Sequence, residues 1–187
     1  DFIKIIEKSF VFLPNIIQYD KKNLYIGKAE DILSEFENGT VDLICTSPPY
    51  GDNPTTVTYG QYSILPLYWI DKSDLGKFDE QLIANYSSID SNSLGGNQRV
   101  RSSFESSILN NFLPRIDEKK QNKVKNFVLD YLNVMSELVR VLKVGKYIVL
   151  TLGDRRVDNQ VVPLSTITTE YLESNGFILE KAITRNI

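Results

Sequence analysis

The chain has 187 residues, 42% of them hydrophobic and 24% charged, with a net charge of −3; this size suits one domain that buries about 70% of its unfolded surface. It contains no histidine and a single cysteine, Cys45, which excludes Ser-His-Asp and Cys-His catalysis, Cys/His zinc sites and any internal disulfide. The slight acidity argues against coating by nucleic acid through bulk charge, and no apolar run reaches the ~18 residues of a membrane span. The N-terminal DFIKIIEKSFVFLP is broken by Lys4, Glu7 and Lys8 and lacks a signal-peptide pattern, so a cytoplasmic location with no membrane partner is expected.

Leu24–Gly27 reads as a short strand. Ile32, Leu33 and Phe36 then fall at helical spacing, and Asn38-Gly39 supplies a helix end. Val41–Ser47 is a mostly apolar run, as expected of a strand covered on both faces, with Cys45 packed inside it. Strand, helix and strand in that spacing predict a βαβ unit. The run ends in Pro48-Pro49, which cannot continue a ladder. The turn therefore stands at the C-terminal strand edge, where open α/β sheets bind ligands.

Residues 51–120 are polar and loop-rich, with a short helix expected over Leu65–Ile70. Periodicity returns at Val124, Phe127, Val128, Tyr131, Met135, Leu138, Val139 and Leu142, giving the clearest helix in the chain. Lys143–Lys146 breaks it, and Tyr147–Asp154 reads as a buried strand. A helix follows over Pro163–Ser174, with proline at its first turn and Gly176 past its end. Phe177–Thr184 alternates as a strand would. The fold class is α/β, an open sheet with one long polar excursion and no internal repeats.

The stretch Val41-Asp42-Leu43-Ile44-Cys45-Thr46-Ser47-Pro48-Pro49-Tyr50 resembles the catalytic motif of the amino-group DNA methyltransferases, which act on N4 of cytosine or N6 of adenine. The segment Met135–Asp154, running through Arg140-Val141-Leu142-Lys143-Val144-Gly145-Lys146 to Gly153-Asp154, is similar to a second stretch of that family. The resemblance implies a Rossmann-like methyltransferase sheet with helices on both faces, S-adenosyl-L-methionine as cofactor, and DNA as substrate.

It also implies site residues. Ser47 and the Pro48 carbonyl, held by Pro49, would accept the N–H groups of the target amine, and Tyr50 would stack on a base flipped from the duplex. Ser rather than Asp before the prolines leans toward cytosine N4, with adenine N6 as the alternative. Cofactor contact falls to Thr46 and to Glu30 or Asp31, although an exposed first helical turn is the plainer reading of those two carboxylates. Arg99, Arg101, Arg155 and Arg156 are candidate DNA contacts; the basic residues Arg115, Lys119, Lys120, Lys123 and Lys125, near Tyr59, Tyr62 and Tyr86, suit phosphate and stacking contacts or a solvated helix start. Asp154 is placed to shape the target pocket.

The family's Phe-x-Gly-x-Gly cofactor turn is absent: of ten glycines only Gly95 and Gly96 are close together, and they follow no strand. The family occurs in permuted orders, one with the Pro-Pro-Tyr half first. The chain is thus expected to be one partial methyltransferase domain over 1–187, carrying a polar insertion over 51–120. Its partner would be a second half or another copy. A non-catalytic half that binds DNA or a subunit is the rival from another class.

Overall fold

A computed structural model describes residues 25, 28–51, 59–71, 84–91 and 101–184. Helix α1 (Ala29–Ser34) carries Glu30 and Asp31 in its first turn, where carboxylates meet the positive end of the helix. Its far end is closed by a side chain from distant sequence. Arg140 Nη2 donates to the Leu33 carbonyl at 2.7 Å, and Arg140 Nη1 donates to the Phe36 carbonyl at 2.8 Å and to Asn38 Oδ1 at 2.7 Å. Glu137 holds the same guanidinium from its other side. Strand β1 (Val41–Thr46) follows.

Helix α2 (Tyr59–Trp69) is longer than the helix expected over Leu65–Ile70 and contains Pro66. It packs on α3 (Tyr86–Ser91), where the buried Asp90 accepts from the Gly60 amide at 3.0 Å. Helix α4 (Ser107–Phe112) is capped by Ser106, whose Oγ accepts from the Leu109 amide at 3.0 Å. Ser106 in turn donates to Glu170, which also accepts from the Ser107 amide at 2.9 Å. Burial alone would push Glu170 up, but these hydrogen bonds outweigh it and hold its carboxyl below the usual range.

A short 3-10 turn (Leu113–Arg115) leads to α5 (Glu118–Val141), capped by Asp117, which accepts from the Lys119 amide at 2.9 Å. Of the apolar positions expected of this helix, Val124, Phe127, Val128, Tyr131 and Met135 are at most 1% exposed, Leu138 and Val139 are half-buried, and Leu142 begins the strand that follows. The first five pack with Leu109, Phe112 and Ile116 and with Leu164, Ile167 and Tyr171, forming the main core.

The chain turns from α5 directly into β2 (Leu142–Leu150), which pairs parallel with β1. Val41 pairs with Leu142 and Leu43 with Tyr147, so residues 143–146 are accommodated as a bulge; Gly145, at φ +73°, takes the left-handed conformation this requires. A hairpin of β3 (Arg156–Val157) and β4 (Gln160–Val161) follows, then α6 (Leu164–Ser174) with Pro163 at its cap.

Three expectations need correction. Phe177–Thr184 forms no strand, and Ile178, Leu179 and Ile183 are exposed; no sheet edge among the described residues pairs with it. The β1 run is covered on one face only. Ile44 is buried against Val141, Leu142, Leu33 and Phe36, while Leu43, Tyr147 and Val149 on the opposite face are half or more exposed. Cys45 shares that open face and is an exposed thiol rather than a packing residue. The described sheets have two strands each, with helices against one face of β1–β2. The expected strand Leu24–Gly27 lies outside the described residues except for Tyr25, whose ring meets Phe36 edge-on at 5.6 Å. Among the described residues, no helix is long and apolar enough to cross a membrane.

Candidate active site

Because β1 and β2 run parallel and Thr46 pairs with Leu150, both strands end at the same sheet edge, and the two chains leaving them meet there. The Thr151 amide donates to the Thr46 carbonyl at 3.0 Å, extending the ladder one step beyond the strand. Ser47 Oγ then donates to the Thr151 carbonyl at 3.2 Å. A serine hydroxyl has one proton and two lone pairs. With the proton engaged on Thr151, both lone pairs of Ser47 are free to accept, and the residue is exposed. Pro48 is half-buried and Pro49 exposed at the turn. Neither donates a backbone N–H that would compete for an incoming polar ligand.

Tyr50 closes the turn, 38% exposed. Its ring lies on Gly153, three residues past the end of β2. A Cβ placed on Gly153 would stand 2.9 Å from Cδ1, 3.0 Å from Cε1 and 3.1 Å from Cγ of Tyr50. Three consecutive ring atoms at nearly equal distance mean that Gly153 meets the face of the ring; an edge-on approach would leave Cγ and Cε1 distinctly farther than Cδ1. The tip of β2 therefore touches the Ser-Pro-Pro-Tyr turn twice, through a hydrogen bond at Ser47 and a ring contact at Tyr50. Sequence reading missed Thr151 and gave Gly153 no role of its own, although the Gly-Asp pair at a strand tip was the available signal.

The remaining predicted site residues are dispersed. Glu30 is half-buried and Asp31 exposed in the first turn of α1. Arg101 is held in an ion pair, Nε to Asp130 Oδ1 at 2.9 Å, with the carboxylate side chain 1% exposed. Arg155 is buried at 6% exposure. Arg156 is exposed on β3, where its Nη1 donates to the Asn159 carbonyl at 3.3 Å. Asp154 is exposed beside Gly153, and Arg99 lies outside the described residues. On the start of α5, Lys119, Lys123 and Lys125 are exposed, and Lys120 pairs with Asp158. Tyr62 and Tyr86 are exposed on α2 and α3.

Over 171 residues the chain is 31% identical to the Type II methyltransferase M.MvaI of Kocuria varians. The likeness supports a methyltransferase relationship. It covers 84% of this chain but only 36% of that protein, so the chain spans about a third of the length of the curated relative it matches. No family model matches the chain, and no solved structure matches it.

Proposed function

We propose that the chain is the target-base portion of an S-adenosylmethionine-dependent DNA methyltransferase that methylates N4 of cytosine. The observation that carries this reading is the Ser47–Thr151 hydrogen bond, which turns an ambivalent hydroxyl into an acceptor at the open edge of a parallel strand pair. An exocyclic amine is a poor nucleophile because its lone pair is delocalised into the ring. Ser47 Oγ and the Pro48 carbonyl, accepting its two N–H groups, favour a nitrogen whose lone pair is localised and directed away from them. Tyr50 offers one ring face to a flipped base. No histidine is needed, because positioning carries most of the rate.

The residues present fit the cofactor in part. Glu30 and Asp31 at the start of α1 suit nucleoside hydroxyls, and Thr46 ends β1 at the edge that carries Ser47, whereas the sequence offers no glycine-rich turn for the amino-acid end. When bound, S-adenosylmethionine supplies a methyl group already activated on a sulfonium. Arg156 and Arg99 are the proposed phosphate contacts.

Adenine N6 is the alternative target within the same chemistry. The missing glycine turn favours a second reading, a non-catalytic half that binds DNA or a subunit. Calorimetric titration with S-adenosylmethionine separates them. Binding in the micromolar range supports the enzyme reading, and no heat up to millimolar cofactor supports the non-catalytic half.

A further inference from the structure

A Cβ on Gly153 would stand 2.9 Å from Tyr50 Cδ1, a distance side-chain Cβ atoms essentially never show, and 3.0 and 3.1 Å from Cε1 and Cγ, tighter than most such contacts. The ring can therefore lie where it does only because position 153 has no side chain. The contact is not a by-product of a crowded core, since Tyr50 keeps 38% of its surface and Gly153 is only half-buried. Both sides of the contact are anchored one turn away. Thr151 accepts from Ser47 and donates to Thr46, so neither the Ser-Pro-Pro-Tyr turn nor the β2 tip can slide to relieve a clash without breaking those bonds.

From this we infer that Gly153 is a positioning residue: it seats the inner face of the Tyr50 ring on the tip of β2 and leaves the outer face for a planar heterocycle, a nucleobase being the class that fits. The inference rests on the proposed base-binding role of Tyr50, but its geometric half stands without it. Stacking of a base on one aromatic ring is worth about 1–3 kcal/mol, and it is lost when the ring tilts by even part of a turn. Gly153→Ala forces such a tilt while leaving Ser47 and its acceptors unchanged.

The test uses the full chain with 3-fluorotyrosine at position 50, comparing Gly153 with Gly153→Ala by fluorine NMR, together with affinity for a short oligodeoxycytidine. The expected results are a displaced fluorine resonance with little change in melting temperature, and binding weakened about fivefold or more. In a Tyr50→Ala background, Gly153→Ala should weaken binding no further, a dependence that a purely structural glycine would not show. An unmoved resonance, or additive losses in the double variant, overturns the inference. If Gly153→Ala fails to fold, Tyr50→Ala/Gly153→Ala must restore the fold, and its failure to do so also overturns the inference. If the parent chain does not bind the oligonucleotide, the base-binding reading of Tyr50 fails, while the fluorine shift still decides whether Gly153 seats the ring.

Discussion

Replacing Arg101 with Met separates two roles that sequence alone leaves equivalent. As a phosphate contact, Arg101 would be dispensable for folding. In the structure its Nε lies 2.9 Å from Asp130 Oδ1, and the two side chains are 24% and 1% exposed. Asp130 sits on the buried face of α5 among Phe127, Val128 and Tyr131, so removing Arg101 takes a counter-charge away from a carboxylate next to the main core. Breaking a buried pair in this way costs about 3–5 kcal/mol. Because Arg101 keeps about a quarter of its surface in water, the lower end applies, about 3 kcal/mol. For a domain of this size each kcal/mol lowers the melting temperature by about 2–4 °C, so Arg101→Met should melt about 6–12 °C early in a thermal scan, with a matching fall in the urea midpoint. Arg101→Met/Asp130→Leu, which removes both charges, should recover much of the loss. An unchanged melting temperature with weakened DNA binding would refute this account and return Arg101 to the DNA surface.

Other consequences are as direct. Thr168 donates its proton to the Leu164 carbonyl at 2.7 Å, so Tyr131 must be the donor in its 2.9 Å bond to Thr168, and Tyr131→Phe should cost about 1 kcal/mol. Burial pushes the Tyr131 hydroxyl up to about 12. The unfolded chain therefore loses that proton first, near 10, and stability should fall as pH rises from about 10 to 12. Denaturation midpoints measured across that range should show a flatter decline in the Phe variant. Arg140→Ala should destabilise by about 2 kcal/mol in urea titrations by freeing the carbonyls of Leu33 and Phe36, and Arg140→Lys should not restore it, since one ammonium cannot reach all the acceptors of a planar fork. Cys45 should react with one equivalent of a thiol reagent in the native protein; slow reaction that needs denaturant would place it in a packed layer.

What the sequence made legible was what local pattern controls. The apolar spacing of α5 marks the core face because a 24-residue helix repeats its signal over many turns. Pro163 and the glycine at 176 bracket α6 through their own backbone preferences. The Ser-Pro-Pro-Tyr turn lands at a strand end because proline ends ladders. What stayed hidden depends on distant partners. The alternation of Phe177–Thr184 permits a strand but cannot supply the edge it needs. The run Leu43-Ile44-Cys45 reads as doubly covered, yet which face is covered is decided by α1 and α5, whose residues pack on Ile44 alone. Arg140 looked like one basic residue in a helix end, while its acceptors lie about a hundred positions earlier. Gly153 gains its meaning only from the Tyr50 ring above it.

The central claim, that Ser47 accepts the hydrogen bonds of an amine undergoing methylation, is tested most directly by incubating DNA with the chain and S-adenosylmethionine and measuring methylated nucleosides by mass spectrometry. The account predicts N4-methylcytosine with the parent chain and at least a hundredfold less with Ser47→Ala, in line with the loss of one oriented transition-state contact. Methylation undiminished in Ser47→Ala, or none despite demonstrated binding of both cofactor and DNA, would contradict it.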